Sequence, residues 1–206
     1  MNEDLAARLQ RNPFVAILRG VRPDEIEDIA AVLLDEGIDV IEVPLNSPQP
    51  LESIRRLAAR FSTTALVGAG TVLDVAAVDA VVGAGARLAV MPNADADVVR
   101  AAKRAGLIAI PGFLTPSEAL AMLAAGADAL KLFPAEAVSP AVLKAMRAVL
   151  PAEARVLPVG GIQPENVAAW RAAGAGGFGI GSALYKPGFS PDEVRARARA
   201  FVAAKS

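Results

Sequence analysis

Short apolar runs recur along this chain every 20-odd residues, each followed by a longer segment of helical character. The runs fall near Phe14–Arg19, Val40–Val43, Ala65–Gly68, Arg87–Met91, Leu107–Ile110, Ala129–Phe133, Arg155–Val159 and Gly177–Gly181. That interval is the length of one βα unit, and near-continuous apolar strands suit a parallel sheet buried on both faces. Eight such units after a short N-terminal helix predict a (β/α)8 TIM barrel, with residues 1–206 as a single domain. An open doubly wound sheet is the alternative; a leucine-rich solenoid lacks the leucine/asparagine ladder it needs.

Helix punctuation repeats with the strands. Proline follows a capping or turn residue at Arg22-Pro23, Ser47-Pro48, Thr115-Pro116, Ser139-Pro140, Gln163-Pro164 and Ser190-Pro191. It suits a first helical position, where its missing N–H has no partner to lose. Thr115 with Glu118, and Ser190 with Glu193, fit the capping box. Gly37, Gly85, Gly106, Gly126 and Gly174 stand where left-handed C-terminal caps belong, a few residues before each strand.

Two absences narrow the chemistry. The chain contains no histidine and no cysteine. Histidine-based triads, cysteine nucleophiles, thiolate zinc sites and HExxH metalloproteases are excluded, and no metal site is predicted. Proton transfer near neutrality falls to Asp, Glu, Lys or Tyr with displaced pKa values. The formal net charge is 21 − 22 = −1, which offers no general attraction to nucleic acid or an anionic membrane. The longest uncharged stretch, Ala172 to Tyr185, spans 14 residues with five glycines, short of the roughly 20 apolar residues of a spanning helix. With no signal-peptide pattern at the N-terminus, a cytoplasmic location is expected.

In a barrel, function collects at the C-terminal ends of the strands. Lys131 stands between Leu130 and Leu132, and Glu42 between Ile41 and Val43, both in apolar strands where a charge is expensive unless used or paired. A desolvated lysine can attack a carbonyl as a free amine. Acid and lysine are thus either a nucleophile with its acid/base partner or a structural ion pair. Arg19, ending the first strand, is suited to a substrate carboxylate or to solvent. Gly160-Gly161 and Gly179-Ile180-Gly181-Ser182 end the last two strands, where exposed backbone N–H groups bind phosphate in many barrels. Gly68-Ala69-Gly70-Thr71 lacks the third glycine and the acid of a dinucleotide fingerprint, so no cofactor is predicted.

Taken together, these segments resemble the 2-keto-3-deoxy-6-phospho-sugar-acid (KDPG/KDPGal) aldolase family. The similarity runs from Val15 to Val202. It is carried by Ala16-Ile17-Leu18-Arg19-Gly20, Glu42-Val43-Pro44-Leu45-Asn46-Ser47-Pro48, Gly68-Ala69-Gly70-Thr71-Val72-Leu73, Pro92-Asn93, Pro111-Gly112, Lys131-Leu132-Phe133-Pro134 and Val159-Gly160-Gly161-Ile162. The resemblance implies a class I aldolase in which Lys131 forms a Schiff base with the substrate ketone and Glu42 moves protons through a water. Thr71, Pro92 and Phe133 would line the pyruvate end, and Gly160, Gly161, Gly181 and Ser182 would hold the phosphate. Arg19 would take the pyruvate carboxylate, with Asn46 and Val159 completing the substrate-binding set. The implied partner is a phosphorylated keto acid, and the implied assembly a homotrimer.

Pro44-Leu45-Asn46-Ser47 and Val159-Gly160-Gly161 match the galactonate branch, whereas Phe133-Pro134-Ala135-Glu136-Ala137 looks as much like the gluconate branch. The galactonate substrate is therefore expected, with its C4 epimer as the alternative. A phosphosugar isomerase or epimerase on the same barrel, and a non-catalytic binding barrel, are the rival readings.

Overall fold

The computed structural model describes residues 2–205. Helix α1 (Glu3–Arg11) precedes β1 (Phe14–Ile17), and strands and helices then alternate: α2 (Ile26–Asp35), β2 (Val40–Pro44), α3 (Pro50–Phe61), β3 (Leu66–Gly70), α4 (Val75–Gly83), β4 (Leu88–Val90) and α5 (Ala96–Arg104). The second half holds β5 (Ile108–Ile110), β6 (Gly112–Phe113), α6 (Pro116–Ala124), β7 (Leu130–Leu132), a short 3-10 turn (Ala135–Ala137), α7 (Pro140–Arg147), β8 (Val156–Pro158), α8 (Pro164–Ala172), β9 (Phe178–Ile180) and α9 (Pro191–Ala203). Among the described residues no helix is long and apolar enough to cross a membrane.

All strand pairs are parallel and form two arcs, β5-β4-β3-β2-β1-β9 and β6-β7-β8. The expectation of a (β/α)8 barrel therefore holds as an α/β fold with a curved parallel sheet, but the ladder is not one continuous ring. It breaks at Pro111, which has no N–H to donate and splits the fifth strand into β5 and β6. It breaks again between β8 and β9, where a single bridge, Val159 to Gly179, replaces a ladder.

Alternation along the strands sends side chains to two cores. The outer core lies between sheet and helices and includes Phe14, Phe178 and Phe201, with the Phe14 and Phe201 rings edge-on at 5.4 Å. The inner core is smaller: Val15, Val40, Leu66, Leu88, Val90, Ile108, Ile110, Ala129 and Leu157, joined by Leu5 and Leu9 of α1. Helix α1 thus closes the N-terminal end of the sheet, and its two buried leucines contribute roughly 3–6 kcal/mol of apolar burial. Arg8 ties it down through Asp39 at 2.7 Å and the Thr64 carbonyl at 3.0 Å. With that end plugged, access to the interior lies at the opposite end, where the strands terminate.

Proline opens α6, α7, α8 and α9, and the capping boxes at Thr115 and Ser190 are formed. Two starts differ from expectation. Helix α2 begins at Ile26 rather than near Pro23, and α3 at Pro50 rather than Pro48, after Gln49 in a left-handed conformation.

Candidate active site

Glu42 and Lys131 both point to the inner face, Glu42 from β2 and Lys131 from β7, and are 1% and 5% exposed. The walls around them are apolar, including Val15, Val90, Ile110 and Leu157. The Glu42 carboxylate is accommodated because its β3 neighbour is Gly70: a β-carbon there would fall 1.4 Å from Oε2. Oε2 is fully buried and has no hydrogen-bond partner. The two groups do not form a direct ion pair among the described residues, so the alternative of a purely structural salt bridge is not what the fold builds.

Burial pushes the Glu42 carboxyl above the ordinary carboxylate range, against the pull of Lys131 and Arg19. Burial likewise pushes the Lys131 amine below the ordinary lysine range; Glu42 opposes that and Arg19 reinforces it. Each group is thereby shifted toward its neutral form, the state of a lysine ready to attack and of an acid able to exchange a proton. Lys131 Nζ lies 4.8 Å from the Phe133 ring centroid, which fixes one side of the amine.

Above this pair opens a cavity at the C-terminal ends of the strands. Its wall carries Arg19, Thr71, Pro92, Phe133, Val159, Gly160, Gly161, Gly181 and Ser182, bringing nine of the sequence-derived positions together. Asn46 is not on that wall. It accepts a hydrogen bond from Arg19 Nη1 at 2.6 Å and so holds the guanidinium rather than facing the cavity. The Gly20 N–H donates to Ser47 Oγ at 2.9 Å, which ties the β1 and β2 loops together behind Arg19.

Thr71 follows β3 directly at φ 58°, a left-handed conformation unusual for a β-branched residue and typical of functional positions. Gly160 and Gly161 are consecutive positive-φ residues (102° and 66°), forming a tight turn before α8. The Gly161 carbonyl accepts from Asn166 Nδ2 at 2.8 Å, fixing the turn to that helix. After β9, Leu184 and Tyr185 donate their N–H groups to the Gly181 carbonyl, so the Ser182 segment is also a closed turn.

Sequence reasoning assigned no role to three residues on the same wall: Glu136, Tyr185 and Lys186. The first lies in the 3-10 turn after β7 and the others after β9, where the strand-end rule points, but each reads as an ordinary loop residue. A second cavity opens near α1 and the C-terminal helix, with Arg11, Asp39, Arg60 and Lys205 on its wall. Its charges serve structure: Arg11 pairs with Asp39 at 2.9 Å, and Arg60 with Glu27 at 2.7 Å. Among the described residues no group of three or more acidic side chains is disposed to hold a metal ion.

Known proteins share this fold. A solved structure described as native KDPGal superposes with a TM-score of 0.92, at 45% identity and 93% coverage of both chains. The 2-dehydro-3-deoxy-6-phosphogalactonate aldolase of Escherichia coli (strain K12) is 45% identical over 192 residues, 93% of this chain and 94% of that protein. The KDPG aldolase of Legionella pneumophila, solved with pyruvate captured as a covalent carbinolamine intermediate, is 27% identical, with a TM-score of 0.84 over 95% of this chain and 97% of that one. The family profile described as KDPG and KHG aldolase matches residues 5–196. With a buried lysine and glutamate under a strand-end cavity and this match across nearly its whole length, the chain belongs to the KDPG and KHG aldolase family.

Proposed function

We propose that this protein is a class I aldolase that cleaves 2-keto-3-deoxy-6-phosphogalactonate to pyruvate and D-glyceraldehyde 3-phosphate. The observation that carries the reading is the isolated, unbonded pair Lys131 and Glu42 in an apolar floor beneath the cavity. Neutral Lys131 adds to the C2 ketone, and with one proton given by protonated Glu42 through a water, loss of water leaves a protonated imine and an ionised Glu42. Glu42, through a water, takes the proton of the C4 hydroxyl; the C3–C4 electrons flow into the imine as the aldehyde departs. The resulting enamine is reprotonated at C3, and hydrolysis returns the amine and pyruvate. The imine supplies the electron sink, so the chemistry needs neither cofactor nor metal.

Arg19, steadied by Asn46, is suited to the substrate carboxylate, and Thr71, Pro92 and Phe133 to the pyruvate end. The Gly160-Gly161 and Gly181-Ser182 turns offer backbone donors to the phosphate. Val159 lines the cavity and is the residue we assign to the C4 side of the substrate. We read residues 1–206 as one domain and the two arcs as one eight-stranded barrel. Support comes from the Val159–Gly179 bridge on one side, and from the bonds of Lys131 N–H to the Pro111 carbonyl and Asp128 N–H to that of Ala109 on the other. Family resemblance supports a homotrimer, and a cytoplasmic location is part of the same reading.

The test is pyruvate release from both C4 epimers. Faster cleavage of the galactonate epimer supports the reading, preference for the gluconate epimer moves the assignment to that branch, and absence of cleavage of either removes it.

A further inference from the structure

Resting on the aldolase reading, we propose that Lys186 is a phosphate-binding residue that sets the preference for phosphorylated over unphosphorylated substrate. The phosphate end of the cavity has an electrostatic difficulty. Glu136 stands against the glycine turn: a β-carbon on Gly160 would fall 2.6 Å from its Oε2, and one on Gly161 3.2 Å. Backbone N–H groups carry only partial charges, and a dianion beside a carboxylate needs a full positive charge nearby. Two basic side chains line this cavity, Arg19 and Lys186. Arg19 is engaged by Asn46 and belongs to the β1 loop. The Lys186 side chain forms no ion pair or hydrogen bond among the described residues, while its carbonyl accepts from the Phe189 N–H at 3.1 Å, and the residue follows directly on the Gly181–Tyr185 turn.

Its backbone is held on both sides. The preceding Tyr185 is 2% exposed and donates its phenol to Glu25 Oε1 at 2.8 Å. That bond spans 160 residues and fastens the β9 loop to the β1 loop. The following Pro187 packs so closely on Gly20 that a β-carbon there would fall 2.7 Å from Cγ. Gly20 adopts φ 83°, so the chain passes beneath the proline in a conformation that glycine tolerates. An exposed lysine needs no such anchoring to remain soluble. Held by two neighbours at the cavity rim and with its side chain unpaired, Lys186 is placed to meet an anionic group, and Glu136 on the same cavity wall disfavours an anion when the lysine is absent.

The test needs a readout that does not depend on turnover. Calorimetric titration of wild type with inorganic phosphate should give weak binding that falls about 5- to 50-fold in Lys186→Ala, a charge-assisted contact discounted for its exposure, and is kept within a few-fold in Lys186→Arg. In steady state, the kcat/KM ratio of the phosphorylated to the unphosphorylated keto acid should fall by a similar factor in Lys186→Ala and recover in Lys186→Arg. No phosphate binding to wild type, or equal binding and an unchanged ratio in Lys186→Ala, overturns the proposal. A wild type that binds phosphate through Lys186 yet cleaves neither substrate would instead overturn the aldolase reading and leave the anion site standing.

Discussion

The Glu42 carboxylate occupies the space that a side chain on Gly70 would fill, with Oε2 1.4 Å from the position of the missing β-carbon. The acid on β2 therefore depends on the absence of a side chain on β3. Gly70→Ala must displace Glu42, either by rotating it off its rotamer or by parting the strands. Overpacking of this kind costs about 1–3 kcal/mol of stability. The expected outcome is a folded protein, by thermal denaturation, with kcat lowered toward the level of Glu42→Gln, about 10²- to 10⁴-fold below wild type. Near-normal turnover in Gly70→Ala would show that the carboxylate need not stand where it does.

The Lys131 and Glu42 shifts predict a pH dependence with a definite sign. Burial lowers the Lys131 pKa, so the free amine is available at lower pH than for an ordinary lysine, and imine formation with pyruvate should rise with pH to a plateau as Lys131 loses its proton. Glu42 raises that pKa through its charge, so Glu42→Gln should move the rising limb to lower pH. Single-turnover rates of imine formation across pH measure this. A limb that stays put, or moves to higher pH, contradicts the electrostatic coupling of the pair.

How far the sequence anticipated this arrangement depends on the physical origin of each feature. Glu42 and Lys131 were legible because a charge inside an apolar run is conspicuous and period-two alternation assigns it a face. The glycine helix ends were equally plain: Gly37, Gly85, Gly106, Gly126 and Gly174 all take positive φ. The break at Pro111 was not legible, since one proline at a strand end resembles any turn. Nor was the role of Asn46, because its bond to Arg19 joins residues 27 apart through two loops. Glu136 and Lys186 escaped for a related reason: an exposed charge in a loop acquires meaning only from what the fold sets opposite it.

Metal removal separates the imine mechanism from an oxygen-ligand metal mechanism. The chain lacks histidine and cysteine, and in the proposed mechanism the Lys131 imine is the electrophile, so activity should persist after exhaustive EDTA treatment. Loss of activity restored by a divalent ion would require a different mechanism.

Val159 is the position at which the choice of C4 epimer should be tunable. Its side chain faces Gly179 so closely that a β-carbon on Gly179 would fall 2.6 Å from its Cγ2, and it is 7% exposed at the cavity wall. Val159→Thr adds a hydroxyl with little change in volume. A neutral hydrogen bond is worth about 0.5–1.5 kcal/mol, a few-fold to tenfold in rate ratio. The kcat/KM ratio should therefore shift by that amount toward the gluconate epimer. An unmoved ratio would place the discrimination elsewhere in the cavity.

The most direct measurement of the central claim is reductive trapping. Wild-type protein incubated with pyruvate and borohydride should acquire one stable adduct, and peptide mass spectrometry should place it on Lys131, with no adduct in Lys131→Ala although that variant remains folded. An adduct that persists in Lys131→Ala and maps to Lys144 or Lys186, or no adduct on wild type that cleaves the substrate, would contradict the assignment of Lys131 as the nucleophile.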